Sequence, residues 1–237
     1  SFGSMILDFL LVPIEKTMRN LGNPNPVMQY TAPQEYFFTL IRISMVGGLA
    51  LSFPVIATQL WRFVAPGLYK NEKNAFLPFL IASPVLFLMG AAFAHYVVVP
   101  LAMQFFLGFS DAASYLAAFM ADGNASSSGI DIVFNGKVNE SLDITLKMIV
   151  AFGLCFQLPV LLTLMGKAGL VDAPGLRRVR KYALVGILLL AALVTPPDVV
   201  TQLILFVVVY GLYEVSIFLV SRVDAKREKR LREEGFY

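Results

Sequence analysis

A chain of 237 residues that is 57% hydrophobic and 15% charged is unlike a soluble domain, which averages about 45–50% apolar and about 25% charged residues. With a mean hydropathy of +0.71, it reads as an integral membrane protein whose apolar excess faces lipid. One cysteine and one histidine exclude a disulfide framework and leave almost nothing for a metal centre, and a formal net charge of +3 is informative only through its distribution.

The first apolar stretch, Met5 to Ile14, holds Asp8 and is too short to cross a bilayer. It also lacks the basic leader of a signal segment. It reads as an amphipathic helix along the outer face, stopped near Pro13, within an external region 1–34. An external N-terminus without an initiator methionine implies a further helix upstream. Five spans follow, at 37–63, 75–107, 143–166, 182–195 and 199–220, which makes the fold class all-α, a polytopic helical membrane protein. The second is too long for a perpendicular crossing, and Pro78 and Pro84 predict kinks in it. The fourth has 14 residues, about 21 Å of helix at 1.5 Å per residue. That is short of a hydrocarbon core of roughly 30 Å, so it implies local bilayer thinning or a protected loop inside the membrane. Residues 221–237 are charged and helix-prone and extend the last span into the cytoplasm.

Basic residues fix the orientation. Fourteen Lys and Arg fall in 62–74, 167–181 and the tail, against three (Lys16, Arg19 and Lys137) in the regions assigned to the other side. By the positive-inside rule the first set is cytoplasmic. Segment 108–143 is then external and acidic. Within the first cytoplasmic loop, Glu72 is a lone carboxylate between Lys70 and Lys73, which suggests that it binds a cation.

Polar groups at membrane depth are costly and commonly functional. Gln157 stands two residues before Pro159, Glu214 lies in YGLYEVSIF, and Thr195-Pro196-Pro197-Asp198 joins the two shortest spans, with Gln202 one turn on. Each also has a structural reading: interhelical hydrogen bonding for Gln157, an ion pair or headgroup-level placement for Glu214, and satisfaction of the proline turn for Thr195 and Gln202. His95 reads as a structural hydrogen bonder sooner than a proton relay, and Lys147 as a snorkelling cation near the outer end of its span. Asn124 and Asn139 begin sequon-like triplets. No nucleophile elbow, phosphate-binding glycine loop, metalloprotease motif or aspartyl pair is present. The chain is therefore not expected to be an enzyme or to carry a catalytic residue, cofactor or metal. Nothing points to nucleic acid.

Three motifs together resemble the TatC family, the multispanning core of the twin-arginine protein translocase: FPVIATQLWRFVAPGLYKNEKNAFLPF at 53–79, LKMIVAFGLCFQLPV at 146–160, and RKYALVGILLLAALVTPPDVVTQ at 180–202 followed by YEVSIF. The resemblance covers nearly the whole chain, starting after the family's first span. It implies tilted helices around a concave, cup-like face in the bacterial cytoplasmic membrane, with a cytoplasmic C-terminus. By resemblance, Glu72 matches the glutamate that recognises the paired arginines of substrate signals. A carboxylate grips a guanidinium bidentately, a geometry that favours Arg over Lys. Phe63 and Leu68 match positions that could receive the signal's apolar residues, with Lys70 and Lys73 beside them. Pro13 matches a proline of the external face. Thr195 and Gln202 match a polar cluster that docks the single-span partners TatA and TatB, while Pro196, Pro197 and Asp198 have external structural roles. Gln157 departs from the pattern, because many relatives carry a buried glutamate there.

The resulting expectation is a receptor and scaffold for export of folded proteins. It would bind twin-arginine signal peptides at the cytoplasmic face and assemble, in an oligomeric complex among membrane lipids, with TatA- and TatB-type partners. The proton-motive force would drive export. The alternative is a secondary transporter or channel lined by Gln157, Glu214 and His95. No internal repeat or pair of matching broken helices supports it.

Overall fold

Lipid offers backbone groups no hydrogen-bond partners, so apolar runs of this length must satisfy their own backbone as helices. The computed structural model describes residues 2–20, 26–64, 77–108, 136–195 and 198–233. Among these, α1 (Phe2–Asn20), α2 (Pro33–Val64) and α3 (Leu77–Phe93) come first. A π-turn (Ala94–Val98) then leads into α4 (99–108). After β2 (Gly136–Lys137) come α5 (Val138–Cys155), α6 (Leu158–Lys167), the single-turn α7 (Ala173–Arg178), α8 (Arg180–Val194) and α9 (Val199–Glu233). The only strand pairing among the described residues is parallel and two residues long. It sets β1 (Met28–Gln29) beside β2, with Met28 opposite Gly136.

Among the described residues, four helical stretches are long and apolar enough to cross a membrane: Pro33–Gln59, Ile81–Gly108, Val138–Lys167 and Val199–Lys229. α8, at 15 residues, reaches about 22 Å. Its start meets α9 through the Arg180–Glu214 ion pair, and the preceding α7 is tied to α9 by the buried hydroxyl of Tyr213, which donates to the Leu176 carbonyl at 2.8 Å.

One proline acts differently from the sequence expectation. α1 does not stop near Pro13 but continues to Asn20. Its buried stripe of Leu7, Leu10, Ile14 and Met18 crosses Pro13 without interruption, and the Thr17 hydroxyl donates to the Pro13 carbonyl at 2.8 Å. Packing on both sides of the proline offsets the one backbone bond it removes. α3 runs through Pro84 unbroken. The irregularity in that long crossing lies further on, at the π-turn, where the Val99 N–H reaches back five residues to the Ala94 carbonyl. In contrast, Pro159 does shape the chain. It cannot donate to the Cys155 carbonyl, and the crossing breaks there into α5 and α6 at Phe156–Gln157.

The core lies where α3 and α5 pack together and where α6 packs on α9. Gly90 lets α3 approach so closely that a Cβ there would stand 2.5 Å from the Phe152 carbonyl oxygen. α2 joins through a stack of Phe53 on Phe87, with centroids 4.2 Å apart. α9 presents Leu205, Val209, Tyr213, Ile217 and Val220 as one buried stripe, and Val220 fills the space above Gly166 of α6. α6 ends in a left-handed turn at Gly169, φ +73°, with the Leu170 N–H bonded to the Met165 carbonyl at 2.9 Å. This is the positive-φ cap that glycine supplies without steric cost. At the opposite end of the bundle, α1 packs Leu7 and Leu10 against Ile43, Val138, Leu142 and Leu146.

Candidate functional site

One end of the bundle gathers the basic segments. The Lys167 ammonium stands 4.4 Å from the centre of the Phe79 ring, which joins the end of α6 to the start of α3. The Ala173 N–H at the start of α7 donates to Asp224 Oδ2 at 2.8 Å. The Arg227 guanidinium reaches the Gly169 turn, and Arg180 at the start of α8 meets Glu214 at 2.6 Å. Glu214 is thus one half of an ion pair at this end, with Oε1 buried and without a partner among the described residues. α2 ends at Val64 and α3 begins at Leu77, with residues 65–76 connecting them in sequence.

Glu72, Leu68, Lys70 and Lys73 lie in that connection and are outside the described residues, as are Pro196 and Pro197. Phe63 falls in the last turn of α2.

The remaining predicted residues separate into three places. Pro13 is buried within α1. Gln157 sits at the α5–α6 break with its amide turned to Ser83 of α3. It accepts from the Ser83 hydroxyl at 2.6 Å and donates to the Ser83 carbonyl at 2.9 Å. At the far end of α8, the buried Thr195 hydroxyl donates to the Ala191 carbonyl at 2.9 Å. Asp198 caps α9. Its Oδ1 accepts the Thr201 N–H at 2.7 Å and Oδ2 accepts the Thr201 hydroxyl. Gln202 is half-buried one turn on, and its side chain makes no hydrogen bond among the described residues. Gln157, Glu214 and His95 each have their own neighbour: Ser83, Arg180 and Phe9. The His95 ring is buried in the π-turn and stacks on Phe9 of α1 at 4.5 Å, with neither nitrogen hydrogen-bonded among the described residues.

Sequence reasoning passed over two features. Thr201 completes the Asp198 cap, and the Asp-x-x-Thr spacing at a helix start was the available signal. Arg42 of α2 joins Asn139 and Asp143 of α5 from 97 and 101 residues away, at 3.4 and 3.2 Å. No local pattern announces that contact. The Asn139 amide oxygen also receives the Thr39 hydroxyl at 3.4 Å. Lys147 turns back to Asp143 at 2.6 Å.

Known proteins share this fold. A family model described as Sec-independent protein translocase protein (TatC) matches residues 1–207. A protein of that name from Magnetococcus marinus is 42% identical over 236 residues, 99% of this chain and 79% of its own length. The one from Aquifex aeolicus is 33% identical over 232 residues, 98% of this chain and 87% of its own. A crystal structure of the twin-arginine translocase receptor TatC superposes with a TM-score of 0.73 at 34% identity, covering 94% of this chain and 88% of that one. A second, in DDM, gives 0.72 at 35% identity, with 92% and 87% covered.

Proposed function

Given that the chain belongs to the TatC family of Sec-independent protein translocase proteins, we propose that it receives twin-arginine signal peptides through the loop holding Glu72. Family membership makes it a multi-pass helical membrane protein and a component of the protein translocase, not an enzyme. The signal site and the partners are our reading.

The observation that carries it is the convergence of the loop ends with the basic segments. The end of α2 and the start of α3 open at the end that holds Lys167, Arg177, Arg178, Arg180 and Lys181. The positive-inside rule makes this the cytoplasmic end, where a substrate's signal first arrives. It leaves the C-terminus cytoplasmic and α1 outside. A carboxylate among ammonium groups is a selective acceptor. Its neighbours repel stray cations, and only a ligand with further contacts overcomes that repulsion. Phe63 and Leu68 would supply apolar contacts and Glu72 a bidentate seat for a guanidinium.

At the other end of α8, Thr195 and Gln202 stand on either side of Pro196 and Pro197 in sequence. Gln202 is free to meet a polar group on a single-span TatA- or TatB-type helix, and the assembled complex would export folded substrates on the proton-motive force.

Glu72→Lys tests the signal site. In cells lacking their own TatC, this variant should reach the membrane at normal level and fail to export a twin-arginine reporter. Export at the wild-type rate would remove Glu72 from the site.

A further inference from the structure

The geometry points to a binding site for the phosphate of an anionic phospholipid between α2 and α5, at the end opposite the basic loops. Arg42 and Lys147 both lie within stretches otherwise apolar enough to cross a membrane, Pro33–Gln59 and Val138–Lys167. They converge on Asp143, Arg42 on one carboxylate oxygen at 3.2 Å and Lys147 on the other at 2.6 Å. Two cations and one carboxylate leave a net charge of +1. The nearby Lys137 and Glu140 pair with each other at 3.3 Å and add nothing. Asp143 therefore positions both cations without neutralising the pair.

Both cations face outward. The Arg42 and Lys147 side chains are 49% and 66% exposed. Arg42 commits one terminal nitrogen to Asp143 and Asn139, and its other N–H groups have no partner among the described residues. On α2, Phe38, Arg42 and Met45 form one exposed stripe at helical spacing. On α5 the half-buried Asp143, the exposed Lys147 and, two turns on, the exposed Leu154 lie at helical spacing. The charges thus sit between surfaces suited to acyl chains, one to two turns inside Tyr30 and Tyr36, which pack edge to face at 5.4 Å where an interfacial aromatic belt belongs. A soluble anion would meet two cations on an apolar wall, and only a lipid would use both the charge and the stripes. A guanidinium and an ammonium suit a phosphate oxygen pair. The site depends on the chain crossing the membrane and not on the role of Glu72.

The full chain in nanodiscs, with traces of photoreactive phosphatidylglycerol or phosphatidylcholine carrying the same acyl chain, reports on this site through adducts mapped to α2 and α5 peptides. Wild type should label more strongly with phosphatidylglycerol. Lys147→Gln should reduce that labelling about fivefold, the loss expected for one surface cation. Phosphatidylcholine labelling should stay unchanged and so report an intact fold, and Lys147→Arg should keep the wild-type yield. Equal labelling by the two lipids, or undiminished phosphatidylglycerol labelling in Lys147→Gln, would overturn the site. Inorganic phosphate at millimolar concentration should not compete. Competition would make a free anion the ligand and defeat the lipid assignment.

Discussion

Gln157 spends both ends of its amide on one residue, and that decides what the position can do. Ser83 precedes Pro84 in α3, and its hydroxyl and carbonyl both face the α5–α6 break. The amide bridges them because it is donor and acceptor at once. A carboxylate there could accept from the hydroxyl but would set an oxygen against the carbonyl. The glutamine therefore serves as an interhelical clip, the structural reading of the sequence, and its both-sided use was beyond sequence reasoning because Ser83 is 74 residues away. Such bonds in membranes contribute about 1 kcal/mol. Gln157→Leu and Ser83→Ala should each lower the melting temperature in detergent, and the double variant should lose no more than the worse single one. Additive losses in that cycle would show that the two residues do not act as a pair.

At the scale of elements, small residues set which helices touch. α3 and α5 approach at Gly90 over the Phe152 backbone, with Gly153 under the Phe87 ring. Without these glycines, the Phe53–Phe87 stack that brings in α2 would have no fixed base. Gly90→Ala places a methyl group against backbone that cannot yield, and overpacking of this kind costs about 1–3 kcal/mol. Gly48→Ala, which meets nothing within 4 Å, is the matched control. Equal thermal stability of the two variants would refute the close-packing account. The helices themselves were largely legible, since lipid forces unbroken apolar runs into one conformation. The prolines were not. A proline's local cost is readable from sequence, but whether packing offsets it depends on contacts with distant elements. α1 crosses Pro13 on a buried stripe, whereas the crossing through Pro159 parts into two helices.

Over the whole molecule, most of the basic residues gather at one end. The basic end was legible because it is a count, and Arg42–Asp143 was not because it joins distant segments. Glu72 was singled out by its setting and its resemblance, and its loop lies outside the described residues. Thr195 and Gln202 stand at the other end, and there the structure divides their labour. Thr195 is turned inward to Ala191, which leaves Gln202 as the outward candidate for a partner helix. Thr195→Val with Gln202→Leu should reduce recovery of TatB- or TatA-type partners in pull-downs from detergent extracts, with the folded protein retained. Full recovery would leave both residues with purely local duties. These two ends are joined by α9, whose 35 residues span about 52 Å. Its buried stripe ends at Val220, but its contacts run further. Val220 continues into Asp224, which holds the first turn of α7, and Arg227, which lies on the Gly169 turn. One unbroken helix thus carries both the contact with α7 at the basic end and the Asp198 cap at the other, so the two ends share a single rod.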